Sequence, residues 1–329
     1  SYIFIYARRF QGVESMVRSR FLAFYCFMCL AFLGCQAQDK KVDMDKLIKA
    51  ELALTEKYEH QPLFGAQLNK TGCKMILEIE GCEDYRLTDS TGESMMLPLN
   101  YMLLKKGKQR LLVKIYPRDG EEFLTMHATA SITVYRAAEK NSEMGDYKKL
   151  VEFELPADIG SQKLPYYEAS LAFEADVPYD YQKELDRASD LTEIPDLEKK
   201  VVKKYKDLRA MGINCDENAY LFENLHASAL SSNTLYQNTY DEIKKSYEGK
   251  MAVVDGDPAI SDRDFLPIEN YAMQFYANGK MVALWQKNHL PMLYIKAVLR
   301  KGTENERIAE GGDPIFLYMP EGSKELKVW

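Results

Sequence analysis

The chain has 329 residues, with 43 basic and 50 acidic side chains and a formal net charge of −7. That length is enough for two ordinary domains, and the acidic balance excludes binding dominated by nucleic-acid phosphates. The four histidines, His60, His127, His226 and His289, are isolated from one another, with no HxxxH pair. We therefore expect no metal site and no cofactor.

The first elements in chain order have the pattern of a secretory signal. Arg18 and Arg20 precede the mostly apolar residues 21–34, and Met16 is the expected start, so that residues 1–15 are a spurious extension. The apolar segment is too short to span a bilayer comfortably, since about 20 apolar residues are needed. Residues 1–34 are therefore left out of the fold prediction.

The end of this segment, Phe32-Leu33-Gly34-Cys35, resembles the lipobox of bacterial lipoproteins, in which a small residue precedes a cysteine that becomes lipidated. The resemblance implies a signal peptide over 1–34, a lipid on Cys35 and a membrane partner for that lipid. The residues after Cys35 lack the aspartate and the dense acidic run that redirect some lipoproteins, which implies an outer-membrane protein facing the periplasm. Leu33 departs from the usual small residue. Cleavage after Ala37, giving a soluble secreted protein, and an uncleaved anchor stay open.

Residues 35–60 are predicted to be a tether and a helix, with Leu47, Leu54 and Tyr58 on an apolar stripe over 42–60. Residues 61–178 then change to strand patterns, with turn residues between them. The alternating runs are Met75, Leu77 and Ile79; Leu111, Val113 and Ile115; Ala130, Ile132 and Val134; and further strands at 150–155 and 168–177. Short alternating strands at regular spacing favour an antiparallel β-sandwich.

A second domain is predicted at 179–329. It begins with a polar linker of about residues 178–195. Asp196 is the expected N-cap of a helix that carries Leu197, Val201, Tyr205 and Leu208 and ends at Gly212. Helices near 217–229 and 236–248 follow, then strands at 292–300, 314–319 and 324–329. Helices before an antiparallel sheet make the protein α+β overall, and an NTF2-like domain is one example of that layout.

Asn278-Gly279, between two alternating runs, is the strongest hairpin signal in the sequence. A two-residue turn pairs Phe275 with Val282 and Met273 with Leu284 on one apolar face, which we expect to pack on the helices. The opposite face carries Gln274, Tyr276, Met281 and Trp285. Its mixed character suits a ligand or partner surface, and an ordinary packing layer is the alternative.

Three other groups have two interpretations each. Cys73 and Cys82 form a disulfide or remain two buried thiols. Lys199, Lys203 and Lys206 form a docking face for acidic protein or anionic lipid, or a solvated helix face. Asp255, Asp257, Asp262 and Asp264 begin like a calcium loop, but the later ligands are missing, so an acidic turn is expected.

The sequence contains no GxSxG elbow, P-loop, HExxH or dinucleotide fingerprint. This absence favours a non-enzymatic envelope protein that contacts a protein partner or an envelope ligand, with a toxin-blocking immunity protein as one specific form. The alternative is a secreted hydrolase that acts on glycan or lipid, with the mixed hairpin face as the floor of its cleft.

Overall fold

The computed structural model of the chain describes residues 2–4, 26–36, 38–89, 92–251 and 259–329. Met16, Arg18 and Arg20, the turn at residues 90–91, and Asp255 and Asp257 lie outside these ranges. Within them, no helix combines the length and the apolar character that crossing a membrane requires.

Three short elements precede the first sheets. They are strand β1 (Tyr2–Phe4), helix α1 (Cys26–Phe32) and helix α2 (Met44–Leu52). The carboxylate of Asp43 caps α2 by accepting from the backbone N–H of Lys46 at 3.2 Å. The helix is shorter than the predicted 42–60, and Leu54 of the predicted stripe is exposed.

Two four-stranded antiparallel sheets follow, as the alternating pattern predicts. Their strands are β2 (Leu63–Thr71), β3 (Lys74–Ile79), β4 (Asp84–Leu87), β5 (Glu93–Pro98), β6 (Gly107–Tyr116), β7 (Thr129–Ala137), β8 (Lys148–Glu154) and β9 (Tyr167–Ala175), with helix α3 (Ile159–Gln162) before β9. The strand orders are β5–β2–β7–β8 and β4–β3–β6–β9. Met75, Leu77 and Ile79 of β3 are buried between the sheets, which confirms the predicted inward face.

The second half of the chain is helical first. Its helices are α4 (Gln182–Arg187), α5 (Leu197–Ile213), α6 (Glu217–Glu223), α7 (Leu225–Thr234) and α8 (Tyr240–Met251). The predicted apolar positions of α5 are all buried, but the helix runs through Gly212 to Ile213, so the predicted end is one residue early. Asp196 lies at the N-cap position with a φ of 53°, and its side chain makes no cap hydrogen bond.

Two further sheets complete the fold. Their strands are β10 (Ile260–Phe265), β11 (Tyr271–Tyr276), β12 (Met281–Gln286), β13 (Leu293–Leu299), β14 (Arg307–Asp313), β15 (Leu317–Tyr318) and β16 (Lys327–Val328). The orders are β1–β14–β13–β10 and β11–β12–β15–β16. The protein is therefore α+β. Asp262 and Asp264, predicted in an acidic turn, lie in β10.

The predicted polar linker at 178–195 is a packed segment. Tyr179, Leu185 and Leu191 are buried there, and the first two join the core between the sandwich sheets. That core also contains Tyr236 after α7 and Trp285 of β12. The sheets change at the predicted boundary, but the hydrophobic core is continuous across it.

A buried carboxylate fixes helix α2 to the later helices. Glu51 accepts hydrogen bonds from the Ser232 hydroxyl of α7 and the Tyr247 hydroxyl of α8, both at 2.5 Å. Leu47 and Ile48 of the same helix are buried in the second core. Residues 44–52 are thus part of the folded body, where the sequence predicted a tether and helix.

Helix α1 is buried on all sides. Its residues 27–32 pack against β10, β13, β14 and α5 and belong to the second core. Such a helix resembles a signal segment in sequence because both are apolar throughout. Because the fold prediction left out residues 1–34, it did not include the packing of residues 27–32 in the second core.

Candidate functional site

The hairpin of β11 and β12 has the predicted register. Phe275 pairs with Val282, and Tyr276 pairs with Met281. The turn closes through the Lys280 N–H, which donates to the Ala277 oxygen at 3.1 Å. Pairing ends at Tyr276 and Met281, so residues 277–280 connect the strands; at the centre of this connection Asn278 and Gly279 have φ of 52° and 84°, in the left-handed region that favours glycine.

The predicted core face of this hairpin is confirmed except at Phe275, since Met273 of β11 is half-buried and packs against the second core. Val282 and Leu284 of β12 are buried in the second core, and the Tyr205 hydroxyl of α5 accepts from the Leu284 N–H at 2.9 Å. Phe275, on β11, is 39% exposed. Strand β11 is the edge of its sheet, so Phe275 has a neighbouring strand on one side only.

The opposite face packs against the sandwich. Tyr276, Met281 and Trp285 are buried in the core that the two halves share, and Gln274 is half-buried beside them. This is the packing-layer alternative, with no open cleft over these side chains. The predicted surface therefore packs inside the protein, against the outer face of the sheet that contains β4.

Two charged residues of β4 lie beneath this face, and we call Asp84, Arg86, Gln274, Tyr276 and Trp285 the interface cluster. The side chains of Asp84 and Arg86 are 1% and 8% exposed and form an ion pair at 3.0 Å. Arg86 Nη2 donates to Gln274 Oε1 at 2.8 Å and to the Tyr276 hydroxyl at 3.1 Å. Its guanidinium carbon lies 3.5 Å from the centre of the Trp285 ring, a cation–π arrangement.

Two further hydrogen bonds lie within the cluster, and Arg86 Nη1 donates outside it to the His289 carbonyl at 3.4 Å. The Tyr276 hydroxyl donates to Asp84 Oδ2 at 2.7 Å, and Trp285 Nε1 donates to the Tyr276 oxygen at 3.0 Å. Burial, followed by the charge of Asp84, raises the pKa of Tyr276 well above its ordinary value. Burial opposes the charge of Arg86, but Asp84 and Tyr276 still raise its pKa. A cluster paired in this way joins the two halves of the chain.

His289 lies beside the cluster, in the turn after β12. Its ring packs edge-on against Tyr116 with 4.5 Å between centroids, and its Nδ1 is buried without a hydrogen-bond partner. Burial, with the nearby charges of Lys74 and Arg86, lowers the pKa of His289 to about 4. The imidazole is therefore neutral at pH 7, and such a low pKa makes it a weak general base.

This shift has a measurable effect on stability. The free energy of unfolding is expected to fall as the pH decreases from about 6.5 to about 4, because the unfolded chain protonates His289 and the folded chain does not. His289→Asn should remove that part of the pH dependence in urea unfolding. Parallel curves for His289→Asn and the parent between pH 4 and 6.5 would contradict the assignment.

A second histidine contacts a carboxylate. His226 Nε2 lies 3.0 Å from Glu184 Oε1, and the Tyr318 hydroxyl donates to the same oxygen at 2.8 Å. Burial alone would raise the pKa of Glu184, but these two hydrogen bonds and the charge of His226 lower it. The other ring nitrogen of His226, Nδ1, is buried without a hydrogen-bond partner.

The predicted basic docking face lies on α5, on the side away from the core. Lys199 pairs with Asp196 at 3.5 Å and Lys203 pairs with Asp207 at 2.7 Å, and Lys206 is exposed. Ion pairs as exposed as these contribute little to stability. The geometry is that of a solvated helix face, with two of the three lysines partly neutralised.

Cys35 is half-buried and is disulfide-bonded to Cys215, which follows α5. Arg263 lies against both sulfurs, with Nη1 3.4 Å from Cys35 Sγ and Nη2 3.5 Å from Cys215 Sγ. Cys73 and Cys82 are buried outside any disulfide, and burial raises the pKa of the Cys73 thiol to about 11. The sequence reasoning assigned Cys35 to lipid and so did not consider this pair.

No group of three or more histidine, cysteine, aspartate or glutamate side chains is arranged to hold a metal ion among the residues described. No family model, curated protein or solved structure matches this chain. The NTF2-like interpretation of the second half stays a prediction.

Proposed function

We propose that this chain is a bacterial envelope lipoprotein, held at the outer membrane through Cys35, whose body binds a protein partner or an envelope ligand without catalysis. The observation that carries the proposal is the order of residues in 18–35, where two arginines are followed by an apolar segment and then by Cys35. The position of Cys35 supports it, because Gly34 and Gln36 on either side are exposed. A lipid on this sulfur would leave the body at its surface.

The lipid thioether and the disulfide both use Cys35 Sγ, so one molecule can have only one of them. A thioether on Cys35 Sγ uses the valence that the bond to Cys215 uses in the structure. In the lipidated protein Cys215 is therefore a thiol, and residues 1–34 are absent. The intact mass of the protein distinguishes the two states directly.

Charge and the state of the histidines support a binding role. The chain is acidic, and removal of residues 1–34, with their four arginines and one glutamate, makes it more so. An acidic body attracts basic partners, which suits an immunity-type protein that blocks a basic toxin. The Tyr276 hydroxyl of the interface cluster donates to Asp84, and the low pKa of His289 makes it a poor base at neutral pH.

One observation favours the alternative, a secreted hydrolase acting on glycan or lipid. His226 contacts Glu184 through Nε2, as an oriented general base would, and Tyr318 contacts the same carboxylate; the other ring nitrogen, Nδ1, is buried and would have to become exposed to accept a proton. In that case His226→Asn abolishes hydrolysis of a substrate and leaves binding of a partner intact. Under the binding proposal, neither the parent protein nor His226→Asn hydrolyses a glycan or lipid substrate.

Cys35→Ser is expected to shift the protein from the membrane fraction to the soluble fraction, because acyl chains on Cys35 provide the anchor. Cys215→Ser is the matched control, since it removes the same disulfide and leaves Cys35 for lipidation. Fractionation and intact mass measure both variants. Equal membrane retention of Cys35→Ser and the parent would overturn the anchor, and a parent mass that includes residues 26–34 would overturn processing.

A further inference from the structure

Helix α1 fills an apolar groove of the second core. Phe27 packs edge-on against Phe265 of β10, with 5.7 Å between ring centroids, and its ring lies 5.6 Å from Tyr220 of α6. Phe32, five residues later on the helix, also packs against Tyr220, with 5.3 Å between ring centroids. The groove thus has room for two aromatic side chains of a short helix, both in contact with Tyr220.

Gly212 of α5 makes this close approach possible. A Cβ at this position would lie 2.8 Å from the Phe27 ring and 2.7 Å from Phe265. Both distances are far below van der Waals contact, so any larger residue at 212 would intrude where the Phe27 ring lies. The helix wall therefore has a notch of the depth that an inserted ring needs.

The groove has a polar group at each end. At one end the buried Asp313 accepts from the Phe27 N–H at 3.1 Å, and its other oxygen accepts from the Tyr220 hydroxyl at 2.6 Å. At the other end Arg263 Nη1 donates to the Ala31 carbonyl at 2.5 Å. An acceptor for N–H groups and a donor for carbonyls match the two unsatisfied ends of an α-helix.

We propose that in the processed protein this groove is a docking site for an apolar helical segment of a partner polypeptide. The inference rests on the proposed function, because removal of residues 1–34 is what opens the groove. The segment spans about 10 Å, as seven helical residues do, with one aromatic ring in the notch at Gly212. Its first N–H groups bind Asp313 and its last carbonyls bind Arg263, a helix-in-groove mode of recognition.

The two polar groups at the ends of the groove, Arg263 and Asp313, favour a helix over a fatty acyl chain. Arg263 would suit the carboxylate of a fatty acid at one end. At the other end the terminal methyl group would face Asp313, whose Oδ1 would then lose the N–H donor that it has in the structure. A hydrocarbon end cannot replace the hydrogen bond that the Phe27 N–H makes to Asp313 Oδ1, whereas the N-terminus of a helix can.

The test starts from the folded full chain with Cys35→Ser and Cys215→Ser, so that no disulfide retains the helix. Residues 36–39 are replaced by the recognition sequence of a specific protease, and the chain is cut there after folding. The probe is a fluorescent synthetic peptide of residues 26–34 with serine at positions 26 and 29 and a lysine tag. Fluorescence anisotropy follows its exchange into the cut protein, and a labelled fatty acid is measured in parallel.

We expect the peptide to exchange into the groove and bind saturably. Gly212→Val should weaken binding about tenfold or more, and Asp313→Asn should weaken it as well. Gly145→Val is the matched control and should have no effect, because a Cβ at residue 145 meets open space. Circular dichroism checks that each variant is folded, and Asp313→Asn decides the matter if Gly212→Val is not.

Three results would overturn the inference: no peptide exchange, binding that Gly212→Val and Asp313→Asn leave unchanged, or binding of the fatty acid alone. The last would assign the groove to lipid. Failure of the proposed function is seen separately, in the mass of the membrane-extracted parent, which would then include residues 26–34. The peptide experiment does not depend on that mass.

Discussion

Arg86→Ala is expected to lower the free energy of unfolding by about 3–5 kcal/mol, the usual cost of leaving a buried partner charge uncompensated. Asp84 would stay buried with its strongest counter-charge removed, because its side chain is 1% exposed. The variant also loses the hydrogen bond to Gln274 and the contact with the Trp285 ring. Urea unfolding monitored by tryptophan fluorescence measures the change.

Two controls separate the buried charge from the general loss of a side chain. Asp84→Leu combined with Arg86→Met removes both charges, and it should recover most of the loss. Arg110→Ala removes an arginine from the same sheet whose ion pair with Glu80 is more than half exposed, and it should cost at most about 1 kcal/mol. Equal losses for Arg86→Ala and Arg110→Ala would show that the interface cluster is hydrated and that the two halves do not close over it.

Trp285→Ala is expected to lower the free energy of unfolding by about 3–5 kcal/mol, as removal of a buried aromatic side chain does. Trp285 is 3% exposed and packs at 5.9 Å from the Phe316 ring, and its Nε1 holds the Tyr276 hydroxyl in place. Because this side chain lies between the two halves, unfolding should remain a single transition at a lower urea concentration.

Phe275→Ala, three residues from the turn of the same hairpin, is the matched comparison. It removes an aromatic residue from an edge strand where 39% of the residue is already exposed, so the loss should be about 1 kcal/mol. A larger loss for Phe275→Ala than for Trp285→Ala would mean that the hairpin presents its faces the other way round. Two separate unfolding transitions in the parent would contradict the shared core.

The sequence was informative where neighbours in the chain decide the structure. Alternation identified the inward residues of β3 and the register of the hairpin, because both follow from a two-residue period and a local turn. The apolar spacing of α5 identified its buried face for the same reason. These features can be predicted from neighbouring residues in the chain, without knowing which element packs on the other side of the core.

The interface cluster could not be predicted in that way. Asp84 and Arg86 are charged residues of an ordinary short strand, and their burial comes from a hairpin 190 residues later in the chain. The exposure of Phe275 likewise depends on which strand is the edge of its sheet. An apolar run such as residues 26–32 is compatible with a signal segment and with a buried helix, since hydrophobicity alone does not distinguish them.

The hydrogen bonds of Glu51 have a consequence for the order in which the chain folds. Ser232 and Tyr247, which satisfy that carboxylate, are 181 and 196 residues further along. All eight sandwich strands lie within residues 63–175, so all of them are synthesised before Ser232 and Tyr247, whereas α2 must wait for α7 and α8. In a nascent chain, residues 44–52 therefore lack their native partners until most of the chain has been synthesised, and a segment this short becomes a stable helix only when α7 and α8 pack against it.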